Sequence, residues 1–107
     1  MMLGQFNVYR NCSAQTNKTL PYYMIVQNDY YADLATRVII PLIRPQQLPR
    51  WHQHVVPRIN IKFDSFLLCT PMISNLNNKR IPPQDFVCNL SHARQGVIDS
   101  IDTLITN

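Results

Sequence analysis

His52 and His54 stand two residues apart, a spacing that on a strand would turn both imidazoles to one face and toward a single metal ion. They lie in a proline-bordered polar segment with no third ligand nearby. A closed metal site needs more donors, so the pair reads as a solvated loop and no metal is expected. Cys12, Cys69 and Cys88 are odd in number and contain no CxxC spacing, which argues against both a disulfide framework and a structural zinc site. Cys69 and Cys88 sit among apolar neighbours and read as buried free thiols. The acidic residues are six scattered Asp with no Glu, and no motif pairs two carboxylates for proton transfer. Two glycines, Gly4 and Gly96, cannot build a phosphate cradle. No nucleophile motif is present. No catalytic residue and no cofactor is therefore expected, and the chain reads as a binder rather than an enzyme.

The aromatic pairs point the same way. Tyr22 and Tyr23 fall inside a strand pattern and should divide between core and surface. Tyr30 and Tyr31 fall in a connection just after Asp29. Large aromatics on a loop are candidates for a partner contact, because tyrosine is enriched where interfaces carry their energy.

Ten Lys and Arg against six Asp leave a charge of +4, a weakly basic surface that suits an acidic protein as readily as a phosphate backbone. At 107 residues the chain is expected to form one domain, residues 1–107. Its longest apolar run, residues 38–43, contains Pro41 and falls far short of a membrane span, and Met1-Met2-Leu3-Gly4 lacks the start of a signal peptide. A cytoplasmic location is the expectation.

These candidate residues must be positioned by the surrounding elements. Residues 5–9 alternate polar and apolar, and so do residues 58–63; both read as half-buried strands. Residues 22–27 are aromatic and β-branched, residues 37–40 are apolar enough for a sheet centre, and 66–69 give a fifth strand after a turn at Asp64-Ser65. The third strand should stop at Pro41 or shortly after it. Residues 10–19 read as loop, 43–57 as an irregular stretch with at most one helical turn, 74–78 as loop, and 79–81 as a candidate further short strand. From Ser91, a good N-cap, an amphipathic helix runs to the last residue, with Val97, Ile98, Ile101, Leu104 and Ile105 as its apolar stripe. Gly96 interrupts it, either as a tolerated weak point or as a place of close backbone approach. The fold class is mainly β with a C-terminal helix: antiparallel strands curled into a small sheet or partly open barrel.

Several segments together resemble the CcdB family of toxins. Phe6-Asn7-Val8-Tyr9 is similar to the family's opening strand. Val26-Gln27-Asn28-Asp29, followed by Arg37-Val38-Ile39-Ile40-Pro41-Leu42, resembles its V-Q-S-D segment and R-[ML]-V-I-P-L strand. Leu90-Ser91-His92 with Arg94, and the ending Ile101-Asp102-Thr103-Leu104-Ile105-Thr106, resemble its last helix. The resemblance implies an SH3-like barrel of the CcdB and MazF type and a homodimer. It further implies the toxin of a type II toxin–antitoxin pair, neutralised by the acidic, disordered tail of a CcdA-like antitoxin. Such toxins act by binding the A subunit of DNA gyrase and trapping its cleaved DNA complex, so that DNA is engaged only through gyrase or antitoxin. Carried over by position, the gyrase-binding residues are Tyr30, Tyr31, Asp102, Ile105, Thr106 and Asn107. The family ends in Gly-Ile, preceded by Trp in one branch and Thr in another; here Asn107 stands at the glycine and the final Ile is missing. Within this reading, a variant with weakened or lost gyrase poisoning is one form the chain could take, since one buried Ile is worth about 1.5–3 kcal/mol. The alternatives are a MazF-like endoribonuclease, in which Arg37, His52, His54 and Arg58 would supply charge and proton transfer, and a non-toxic homologue that keeps only its antitoxin.

Overall fold

The computed structural model describes residues 3–50 and 56–106. Seven strands are found among them: β1 (Asn7–Arg10), β2 (Tyr22–Ile25), β3 (Thr36–Ile43), β4 (Arg58–Ile61), β5 (Asp64–Leu68), β6 (Ser74–Asn77) and β7 (Phe86–Asn89). They are followed by one helix, α1 (Arg94–Thr106). The strands pair in the order β4-β5-β3-β2-β1-β7, with β6 also paired to β3, and every pairing is antiparallel. This is the expected architecture, a mainly antiparallel half-barrel sheet with a C-terminal helix.

Period-2 alternation sends neighbouring side chains to opposite faces, and both faces are covered. Val8, Met24, Ile40, Leu42, Phe66 and Leu68 face one side, where Leu90, Val97 and Ile101 pack on them. Tyr9, Tyr23 and Ile25 face the other, with Leu3, Ile39, Leu76 and Ile81. A third cluster joins Ile43, Val56, Leu67 and Cys69. The two-sided cover corrects the expectation for Tyr22 and Tyr23. Tyr23 is buried, and Tyr22 packs against the opposite core with its ring edge-on to Phe66 at 5.2 Å. Cys69 is buried as expected, Cys88 is half-buried, and Cys12 is exposed.

The strand boundaries depart from the sequence pattern in three places, and the end of β3 is not among them: the strand stops at Ile43, shortly after Pro41. Pro41 is tolerated inside it because it lies where the outer edge of that strand changes partner, from β6 at Ile39 to β5 at Leu42. Its carbonyl takes the Cys69 N–H at 2.9 Å, and the amide that proline lacks falls in the gap. The polar segment Ser74-Asn75-Leu76-Asn77 is strand rather than loop, held by its ladder to β3 with only Leu76 turned toward the core. Asn78–Arg80 is a 3-10 turn rather than a strand, and Ile81 after it is buried on the second face. Finally, β4 does not reach Phe63. Ile61 pairs with Asp64, so the turn is Lys62-Phe63 instead of Asp64-Ser65, Lys62 takes a left-handed φ of 57°, and Phe63 is left fully exposed.

The helix also begins later than Ser91. Ser91–Ala93 is a 3-10 turn entered through Leu90, and Ser91 is not its cap; Asn89 Oδ1, just before it, accepts the Ser91 N–H at 3.1 Å. Of the apolar stripe, only Val97 is fully buried and Ile101 packs at the rim; Leu104 and Ile105 are exposed. Between them Ser100 is buried, accepting the Thr70 hydroxyl at 2.9 Å and donating to the Val97 carbonyl at 2.8 Å. A Cβ built on Gly96 would meet Pro57 Cβ at 3.7 Å, an ordinary contact, so this glycine is a tolerated weak point. Among the described residues no helix is long and apolar enough to cross a membrane.

Candidate partner-binding site

Tyr30 and Tyr31 belong to a 3-10 turn, Asp29–Tyr31, that leaves the end of β2. Asn28 caps it, its side-chain oxygen accepting the Tyr30 N–H at 2.9 Å. Asp29 Oδ1 accepts the Gln5 N–H at 2.8 Å, tying the turn to the start of β1. From the last residues of the second strand region, Gln27 donates from Nε2 to the Tyr31 carbonyl at 3.2 Å and accepts the Val38 N–H at 3.2 Å. The turn is thus held at both ends by side chains of the V-Q-N-D segment. Its aromatic rings are not. Tyr30 is 81% exposed and Tyr31 50%, and the two rings meet edge to face with centroids 5.1 Å apart.

Below the tyrosines, Arg37 is buried, 4% exposed. Its Nε donates to the Leu3 carbonyl at 3.3 Å, Nη1 to Leu34 at 2.8 Å and Thr36 at 3.0 Å, and Nη2 to Ala32 at 2.7 Å. The planar fork suits this fan of carbonyl dipoles, which replace the lost hydration of the charge. A guanidinium committed inward is out of reach of a phosphate backbone, which removes Arg37 from the ribonuclease set. His52 and His54 of that set, and of the two-histidine metal reading, lie outside the described residues. Among the described residues no three His, Cys, Asp or Glu side chains are grouped to hold a metal ion.

The helix end presents a second surface. Asp102 and Thr106 are exposed, Ile105 is 74% exposed and Leu104 42%. Thr106 turns its hydroxyl back onto the Asp102 carbonyl at 2.7 Å, which leaves its methyl as the apolar part of the tip. Asn107 lies outside the described residues. Val56, Thr70, Pro71, Ser100, Thr103 and Leu104 line a mostly apolar hollow of about 220 Å³ beside this end.

The described candidate residues thus fall on a turn and a helix end, as their places in the sequence imply. The tyrosine turn is tied to β3 at Val38 through Gln27 and at Thr36 through a 3.4 Å contact of the same amide. The helix is tied to the other end of that strand, since Thr70 follows Cys69, whose N–H meets Pro41. Among the described residues no hydrogen bond or ring contact joins Tyr30 or Tyr31 to α1.

Leu34 and Phe63 are exposed apolar residues that the sequence pattern did not single out. Leu34, about half exposed, follows the tyrosines on the same connection, its N–H bonded to the Tyr31 carbonyl at 3.1 Å. Phe63 sits at the β4–β5 tip; the two-residue spacing between Ile61 and Asp64 was its signal, obscured because the turn carries no glycine. A cleft of about 410 Å³ opens elsewhere, beside the β1–β2 loop, lined by Cys12, Tyr23, Lys79 and Arg80 among others.

A model of the family described as CcdB protein matches residues 5–107. No curated protein sequence matches the chain.

Proposed function

The chain belongs to the CcdB family, and on that premise we propose that it is a toxin of a type II toxin–antitoxin pair that acts by binding the A subunit of DNA gyrase. The observation that carries the reading is the family match, which spans both the tyrosine turn and the terminal helix. Three features support it. Tyr30 and Tyr31 are apolar anchors held out to solvent on a pre-formed turn, the arrangement that makes a partner contact strong at low entropic cost. Leu104 and Ile105 leave apolar area uncovered at the helix end, which a second protomer or gyrase would bury. The cleft at Lys79 and Arg80 suits the acidic tail of a CcdA-like antitoxin by charge. Inhibition of this kind is binding, without a catalytic step of its own.

A second reading is favoured by the tip itself. Thr106 stands where one branch of the family has Trp and another has Thr, and its hydroxyl is spent on the helix backbone. On this reading the smaller anchor grips gyrase less firmly than the Trp branch does, while the antitoxin contact is kept.

Expression of the chain without an antitoxin separates the readings. Growth arrest with gyrase-dependent DNA breaks is the expected result. Arrest with cleaved RNA and intact DNA overturns it in favour of a nuclease, and normal growth overturns it in favour of the non-toxic homologue.

A further inference from the structure

We propose that Arg37 is a positioning residue for partner binding: it locks the connection between β2 and β3 into a rigid platform on which Tyr30, Tyr31 and Leu34 form one contact surface. The inference rests on the functional reading above and adds to it two residues, Arg37 and Leu34.

The geometry separates a positioning role from ordinary burial. A buried cation on a strand is commonly matched by a carboxylate. Here the guanidinium's four hydrogen bonds among the described residues all go to main-chain carbonyls; two of those, Ala32 and Leu34, lie in the connection that follows the tyrosines, and a third, Thr36, is the first residue of β3. The fourth, Leu3, brings in the segment before β1. Leu34 is held twice, since Asn78 Nδ2 also donates to its carbonyl at 3.0 Å. The backbone is therefore gripped from within while the side chains of Tyr30, Tyr31 and Leu34 remain exposed. Lysine at this position has one ammonium at the end of a flexible stem and cannot span the same four acceptors. Pre-organisation of this kind speeds productive encounter and slows release, because the loop's ordering is already complete before the partner arrives.

The test uses the full-length protein. In Arg37→Lys, the amides of Tyr31, Ala32 and Leu34 should exchange with solvent about tenfold faster, while those of Met24 and Ile40 in the sheet keep their rates. Uniform acceleration, or none, overturns the latch. Should the variant fail to fold, side-chain NMR of the wild-type protein decides the same point. Slowly exchanging, resolved Arg37 guanidinium protons support the latch, and averaging like that of the exposed arginines overturns it.

The positioning role is read with the purified gyrase A subunit as probe. Arg37→Lys should weaken binding about tenfold, and that loss should largely vanish in a Tyr30→Ala background, since there is less left to position. An equal loss in both backgrounds marks a merely structural residue and overturns the proposal. Failure of the wild-type protein to bind the gyrase A subunit overturns the functional reading instead, and with it the claim that this platform faces gyrase; the exchange rates still decide the latch.

Discussion

The hydroxyl of Thr70 meets that of Ser100 at 2.9 Å in a buried contact that links the segment after β5 to the middle of α1. It is the last fully buried point of the helix; beyond it Ile101 is half-buried and Leu104 and Ile105 are exposed. The contact therefore marks where the helix stops serving the core and starts facing outward. Its two partners stand thirty residues apart in sequence, so the pair ties the helix to the segment that follows β5.

Removal of either hydroxyl should leave the other without its partner. Ser100→Ala is expected to cost about 1–2 kcal/mol, since Thr70 then keeps only its 3.3 Å contact to the Leu68 carbonyl. Urea unfolding should show a lower midpoint with an unchanged slope. An unaltered midpoint would mean the contact contributes nothing.

Gly96→Ala should stabilise the protein by up to about 1 kcal/mol, the difference between the two residues in a helix interior. Among the described residues the added methyl meets only Pro57 Cβ, at 3.7 Å, an ordinary contact. A rise in thermal midpoint of a few degrees is the expected readout. A fall would show that the helix and the Pro57 segment approach more closely than this.

At the β4–β5 tip, Lys62→Gly should also stabilise, but by less. A side chain at a left-handed φ of 57° costs about 1–2 kcal/mol, part of which the greater freedom of glycine in the unfolded chain offsets. A gain of about 0.5 kcal/mol is expected, read as a small rise in the urea midpoint. Phe63→Ala beside it should leave the midpoint unmoved, because the ring is fully exposed.

Tyr23 governs behaviour in alkali. Burial pushes its phenol well above the ordinary value, with smaller contributions from Cys12, Asp85 and Tyr9. The folded state therefore holds this proton more tightly than the unfolded chain. The stability that this provides is complete below about pH 10, where both states are protonated, and declines as the unfolded phenol ionises above it. Burial raises the Cys69 and Cys88 thiols in the same sense, beginning at lower pH. Tyr23→Phe should flatten the loss of stability above about pH 10, measured by urea titrations across roughly pH 8–11. An unchanged slope would assign the alkaline transition to the thiols or other groups.

Much of the fold was legible because its signals are local. Alternation over Val8, Met24, Ile59 and Ile61 is fixed by the backbone repeat, and so is the helical spacing of Val97 and Ile101. The tyrosines on the connection were equally readable, since loop position follows from the turn residues Asn28 and Asp29 around them. Where a neighbour decided the outcome, local reading failed. Ser74–Asn77 has no strand pattern, and becomes a strand because β3 offers an unpaired edge along residues 36–39. The stop shortly after Pro41 was readable, but it is the change of partner on β3 that gives the missing amide a harmless place inside the strand. Ser91 does not cap its turn; its N–H goes to Asn89, whose amide is anchored by Gln5 and Asn7 from the other end of the chain.

Residue order and short-range geometry suffice for the family, the antiparallel sheet with its terminal helix, and the exposed aromatic pair. How those residues are presented follows from contacts between distant segments. These tie the tyrosine turn and the helix to opposite ends of β3, and they bury Arg37, a candidate surface charge in the sequence, among main-chain carbonyls. Hydrogen bonds from Arg37 to Leu3, and from Thr70 to Ser100, join positions more than thirty or about thirty residues apart. Such pairings depend on which strands lie side by side, and no local pattern encodes that.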